Sequence, residues 1–291
     1  MIKLKSYAKI NLFLEIKERI DNGYHLIETI FQTINIFDEI IIEKLNEPVF
    51  LIKCDNPDVP TGENSLIYQA IEKVMGNTKQ GLSVKIKKNV PLAAGLGGGS
   101  SNVAAILLGL QRLFNFSFNL KELITIATDL GMDIPYFFVR GTVYGTGRGE
   151  ILYQLQPIKG PLKLILINPN FQITSKWAYQ AYDEEYEKRK QNKEIKQYLH
   201  QCSELKLADL KKIAFNSFDA TIVKFYPLIK EIKSQLKETG ASVVSVSGSG
   251  PTVYGIYEDV KTRNDAFYLL KDKYPLVLKA NTIRAKNIFC K

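Results

Sequence analysis

Between Gly95 and Ser101 the chain places four glycines and two serines in seven residues, ahead of an apolar helical repeat. The full stretch reads Pro91, Leu92, Ala93, Ala94, Gly95, Leu96, Gly97, Gly98, Gly99, Ser100, Ser101, Asn102. Val103, Ile106, Leu107, Leu110 and Phe114 follow at three-to-four spacing and predict a helix with one buried face. Upstream, Leu82 to Lys88 alternates apolar and polar residues as a half-buried strand does. A strand, a glycine turn and a helix start leave a row of backbone N–H groups without intrahelical acceptors. The helix dipole adds roughly half a positive charge there. The chemistry expected is therefore the holding of an anion, a nucleotide phosphate before others. The dinucleotide fingerprint fits poorly: read as Gly95-x-Gly97-x-x-Ser100 it lacks its last glycine, and no acidic residue stands at a strand end about 20 positions on. No Gly-Lys-Ser/Thr closes the loop, which excludes the ordinary P-loop, so any assisting lysine must come from elsewhere in the chain.

Three further groups carry polar side chains at suggestive spacing. Lys9 and Asn11 lie two apart on one face of a long strand, where they either line a site or meet solvent. Asp133, in Gly131-Met132-Asp133-Ile134-Pro135-Tyr136, precedes a helix start and is either its cap or a catalytic carboxylate. Ser245 to Thr252 is a second small-residue loop leaving a strand, either a tight turn or part of a site.

The elements that position these groups follow from periodicity. Strands are expected at Lys3–Lys17, Ile27–Ile36, near Asp38–Glu43 and at Val49–Cys54, with a helix entered at Asn64-Ser65. A helix near Leu120–Leu130 precedes a strand pair, Thr142–Tyr144 and Ile151–Gln154. Pro157 to Pro161 is the candidate boundary. Beyond it a strand at Leu164–Ile167 is followed by helices around Ser175–Tyr182, Glu184–Tyr198, Lys206–Ile213 and Phe218–Lys237, the last broken before Pro227. Strands at Val243–Val246 and Val253–Tyr257, a helix near Thr262–Lys273 and terminal strands complete an α+β pattern.

The 291 residues suit two domains, and 45% hydrophobic with 24% charged residues is ordinary for a globular protein. Apolar runs are too short to cross a bilayer. Met1 to Lys5 alternates like a strand and lacks a signal-peptide core, so a cytoplasmic location is expected. Three scattered cysteines and two histidines support neither a disulfide framework nor a zinc site. The net charge of +9 is dispersed and suits attraction of a small polyanion better than a nucleic-acid groove.

The order Lys-x-Asn, then Pro-x-x-x-Gly-Leu-Gly-Gly-Gly-Ser-Ser, then Gly-Ser-Gly-Pro resembles the GHMP small-molecule kinases over essentially the whole chain. That resemblance implies an N-terminal ribosomal-protein-like α/β domain over 1–157, bearing the ATP phosphate loop, and a C-terminal ferredoxin-like α/β sandwich over 158–291. Asp21 to His25, Gly131 to Phe138 and Gly145 to Glu150 are most similar to the branch that phosphorylates the 2-hydroxyl of a cytidine-diphosphate-linked methylerythritol in the non-mevalonate route to isoprenoid precursors. A homoserine or mevalonate kinase is the alternative within the family, and a ribosomal-protein-like nucleic-acid-binding module the alternative outside it.

By resemblance Asp133 takes the acceptor's proton, Lys9 offsets charge at the transferred phosphoryl, and Asn11 binds the substrate diol. Pro91 to Asn102 would cradle ATP, with Ser100 or Ser101 touching Mg²⁺; no carboxylate ligand for the metal is identified. Lys88, Asn64 and Asn102 fall at the adenine side. Tyr24 and Tyr179 would hold the cytosine between them while His25 reads its edge. Gly248, Ser249 and Gly250 would close the site from the second domain. ATP and the cytidylyl substrate are the expected partners, with neither nucleic acid nor membrane.

Overall fold

The computed structural model describes residues 1–284 apart from 22, 77, 185–193 and 203. Its first layer is a seven-stranded sheet dominated by two long neighbours, β1 (Ile2–Arg19) and β2 (His25–Leu45), paired antiparallel. The two strands expected at Ile27–Ile36 and Asp38–Glu43 are one. β2 changes partner along its length, pairing β5 (Thr142–Thr146) at Thr29–Gln32 and β4 (Gly81–Lys87) at Glu39–Leu45. The apparent break at Asp38 is a carboxylate turned inward rather than a chain end.

β3 (Phe50–Cys54) pairs parallel with β4, and β6 (Ile151–Gln154) closes on β5. Helices α1 (Leu66–Met75) and α2 (Gly98–Phe114) cover this sheet, where Ile67, Ile71, Val103, Ile106 and Leu107 share a core with Ile40, Ile42 and Val84. Ser65 caps α1 by accepting from the Tyr68 N–H. α3 (Leu120–Thr128) opens on a capping box between Asn119 and Glu122, and a single turn, α4 (Tyr136–Val139), follows it.

The second layer is a four-stranded antiparallel sheet of β7 (Lys163–Asn168), β9 (Val243–Val246), β10 (Val253–Tyr257) and β11 (Leu276–Asn281), in spatial order β11-β7-β10-β9. Numbered within the layer this is 4-1-3-2, the ferredoxin-like arrangement. On one face Ile165 and Ile167 pack with Ile232, Leu236 and Leu270 from α9 (Pro227–Glu238) and α10 (Val260–Leu270). The other face sets Leu164, Leu166 and Tyr254 against Ala8, Ile10 and Leu12 of β1. β1 is consequently buried on both faces from Ala8 to Ile16, and the face carrying Lys9 and Asn11 is not a solvent face.

α5 (Ser175–Asp183), α6 (Ile195–Gln201) and α7 (Leu207–Ile213) link β7 to the rest. The helix expected over Glu184–Tyr198 falls largely outside the described residues. The expected break before Pro227 lies at Tyr226, between α8 (Asp219–Phe225) and α9, where proline takes the first helical position. A two-residue strand, β8 (Phe215–Asn216), runs parallel to β1 at Phe13–Leu14, so the second half of the chain contributes to the first sheet. Two residues are too few to carry a period. Among the described residues no helix is long and apolar enough to cross a membrane.

Candidate active site

β1 carries Lys9 and Asn11 into the seam between the two layers. The Lys9 ammonium donates to Asn11 Oδ1 at 2.6 Å and lies 3.5 Å from Asp133 Oδ2. Asn11 Nδ2 donates in turn to Thr29 Oγ1 at 2.8 Å, and that hydroxyl donates to the Phe13 carbonyl. Lys9 is buried, whereas the Asp133 side chain keeps 39% of its surface. Asp133 does not cap α4, whose N-cap is Pro135 without a side-chain bond. Instead its carboxylate borders a cavity of about 930 Å³ that also includes Lys9, Asn11, Met132 and most of the glycine loop.

The glycine loop turns through left-handed backbone at Ala93, Gly95 and Gly97, and α2 starts at Gly98 on an N-cap with no side-chain acceptor. Its first N–H groups are therefore left to a ligand or water. Gly95, at φ +72°, also lies against the second small-residue loop: a Cβ there would come within 1.9 Å of the Ser247 carbonyl oxygen. Ser247 Oγ donates to the Gly95 carbonyl at 2.8 Å, so the two loops are joined across the layers. Pro91 to Gly95, Gly97 to Ser100, Gly248 and Ser249 line the cavity. Leu96 is buried, its carbonyl accepting from the Lys9 N–H, and Gly250 lies behind the loop with its N–H on the Ser247 carbonyl.

Four expected contacts lie elsewhere. Lys88 is buried in an ion pair with Asp38, a carboxylate with no exposed surface. Asp38 also accepts from the N–H groups of Asn89 and Val90, each at 2.8 Å, and from Asn102 Nδ2 at 2.8 Å. Asn102 donates further to Ser6 Oγ, and Ser6 donates to Ser101 Oγ at 2.7 Å. Lys88, Ser101 and Asn102 thus brace the strand exit and helix start from behind rather than lining the cavity. Asn64 is exposed and lies outside the lining, one residue before the Ser65 cap.

At the far end of the cavity Tyr24 is half-exposed, with the Arg148 guanidinium 5.2 Å from its ring centroid. Tyr179 does not stand free opposite Tyr24. It stacks on His25, centroids 4.7 Å apart at 14°, and presents an edge contact to Phe218. Burial, with the nearby charges of Asp133 and Asp183, pushes the Tyr179 phenol well above its ordinary pKa and keeps it neutral. His25 Nε2 is 2.6 Å from Asp183 Oδ1, and Arg19 reaches the other carboxylate oxygen at 3.5 Å. Arg148 and Asp183 line the cavity but were not expected there. Asp183 opens the charge run 183–196, whose pattern resembles a solvated helix face and gives no signal of a buried partner.

Among the described residues no group of three His, Cys, Asp or Glu is placed to hold a metal. Ser100 and Asp133 bring oxygen donors to the same cavity lining, groups that suit a cation arriving already bound to phosphate and water.

The chain matches the GHMP kinases N terminal domain over residues 65–141 and the GHMP kinases C terminal domain over 189–275. It is 37% identical over 287 residues to the 4-diphosphocytidyl-2-C-methyl-D-erythritol kinase of Caldanaerobacter subterraneus subsp. tengcongensis, covering 97% of each chain. Identity to the protein of the same name from Clostridium perfringens is 35%, covering 99% of this chain and 100% of that one. In fold it is similar to a crystal structure of 4-(cytidine 5'-diphospho)-2C-methyl-D-erythritol kinase, with TM-score 0.78 at 24% identity over 98% of this chain and 100% of that one. A homoserine kinase from Cytophaga hutchinsonii follows at TM-score 0.72 and 16% identity, over 97% and 94%.

Proposed function

Because this chain belongs to the 4-diphosphocytidyl-2-C-methyl-D-erythritol kinase family of the GHMP kinases, we propose that it transfers the γ-phosphoryl group of ATP to the 2-hydroxyl of 4-diphosphocytidyl-2-C-methyl-D-erythritol. The observation that carries the reading is the Lys9–Asp133 pair, 3.5 Å apart, on the same cavity as the glycine loop.

Phosphoryl transfer asks the protein chiefly for alignment and charge stabilisation. The N–H groups of Gly97 to Ser100 hold the β- and γ-phosphates at the start of α2. The Ser100 hydroxyl would help hold a Mg²⁺ ion arriving bound to ATP, which would supply charge neutralisation at the phosphates. Asp133 accepts the proton of the 2-hydroxyl as that oxygen bonds to the γ-phosphorus and the bond to ADP breaks. Lys9, held on Asn11, offsets the negative charge that develops on the transferred group. Tyr24 offers the cytosine an aromatic plane, and His25 reads its edge. Residues 1–157 supply the phosphate loop, Lys9 and Asp133; residues 158–291 supply Tyr179, Asp183, Gly248 and Ser249.

The test is ADP release in a coupled assay with the cytidylyl alcohol, homoserine and mevalonate offered in turn. ADP production is expected with the cytidylyl alcohol alone. Turnover with homoserine or mevalonate and none with the cytidylyl alcohol would overturn the acceptor assignment.

A further inference from the structure

We propose that Asp183 is a positioning residue that fixes the tautomer of His25 and thereby sets a preference for cytosine over uracil in the acceptor's base. The proposal rests on the cytidylyl acceptor inferred above. An ionised carboxylate can only accept hydrogen bonds, so at 2.6 Å from Asp183 Oδ1 the proton of the pair resides on His25 Nε2. In the neutral ring Nδ1 is then a lone-pair acceptor.

The ring is held in two directions by one helix. Tyr179 and Asp183 are four residues apart on α5 and so share a helix face. Tyr179 stacks flat on the imidazole, while Asp183 bonds its edge. Arg19 of β1 pairs with the second oxygen of Asp183, which keeps the carboxylate turned toward the strand end that bears His25. His25 is buried yet borders the same cavity as Tyr24. Cytosine presents an exocyclic amino donor where uracil presents a carbonyl acceptor. A ring fixed with its lone pair on Nδ1 bonds the first and repels the second. An imidazolium, donating from both nitrogens, would do the reverse.

The chain has two histidines, His25 and His200, so ¹⁵N-histidine labelling gives two imidazole patterns, assigned with a His200→Gln variant. In the parent protein His25 is expected in the Nε2–H form. Asp183→Ala is expected to mix the tautomers, to raise KM for the cytidylyl alcohol and to reduce its advantage over the uridylyl analogue about tenfold, the scale of one lost base-edge contact. KM for ATP and kcat should hold. Asp183→Asn keeps the side chain's size but turns its NH2 group to the ring when its oxygen takes the Arg19 contact. It should favour the Nδ1–H form and lose the preference at the parent's melting temperature, which guards against a folding defect. A parent His25 that is protonated on Nδ1 or doubly protonated at neutral pH would overturn the proposal, as would an Asp183→Ala protein with unchanged ring signals and base preference. The spectra need no substrate. Should the acceptor assignment fail, the coupled assay reports that separately: base selection by Asp183 then falls, and its hold on His25 is still read directly.

Discussion

Lys88–Asp38 and Lys9–Asp133 join the same two kinds of side chain on either side of the glycine loop, and they are built for different work. Asp38 has no exposed surface and accepts from two backbone N–H groups, the Asn102 amide and Lys88. Its lone pairs are committed, and nothing remains for a substrate. Asp133 meets its lysine at 3.5 Å and keeps 39% of its side chain open to the cavity. A carboxylate with uncommitted lone pairs and access is one that can take a proton. The difference teaches that residue type and proximity to a phosphate loop do not identify a catalytic pair; saturation and exposure do.

Variants at the two pairs separate stability from turnover. Asp38→Ala leaves a buried lysine and two backbone donors without their acceptor and should cost about 3–5 kcal/mol of folding free energy, read from denaturant midpoints. Adding Lys88→Met should recover much of that loss, because the stranded charge is gone. Recovery with ATP binding intact would sharpen the comparison, whereas a stable Asp38→Ala protein would break it. Lys9→Met should lower kcat by about 10²–10³, the scale of one lost charge-stabilising donor. A smaller effect is expected at the base end: Tyr24→Ala removes a stack worth about 1–3 kcal/mol and should raise KM for the cytidylyl alcohol with KM for ATP unchanged. Equal losses for both substrates would mean the two ends of the cavity are assigned the wrong way round.

Much of this arrangement was legible in residue patterns because it is local. The strand, glycine turn and helix around Gly95 fall where periodicity and helix-start signals put them, and the break before Pro227 follows from proline's missing N–H. What escaped depends on partners distant in the chain. β2 reads as two strands because Asp38 interrupts its apolar pattern, and the acid in that position is explained by Lys88, Asn102 and the backbone at Asn89 and Val90. The family resemblance puts Lys88 and Asn102 at the adenine side and Ser101 near Mg²⁺, and in the fold Ser6 and Asp38 take up their polar groups. Tyr179 and Asp183 meet His25 only because α5 crosses to the end of β2, a contact spanning 158 residues that no local period encodes.

Turnover of Asp133→Asn, at saturating ATP and cytidylyl alcohol, probes the open carboxylate most directly. A fall of about 10²–10⁴ with the melting temperature and ATP affinity of the parent is the expected result. Parental turnover, or lost stability in its place, would make Asp133 a second Asp38 and contradict the assignment.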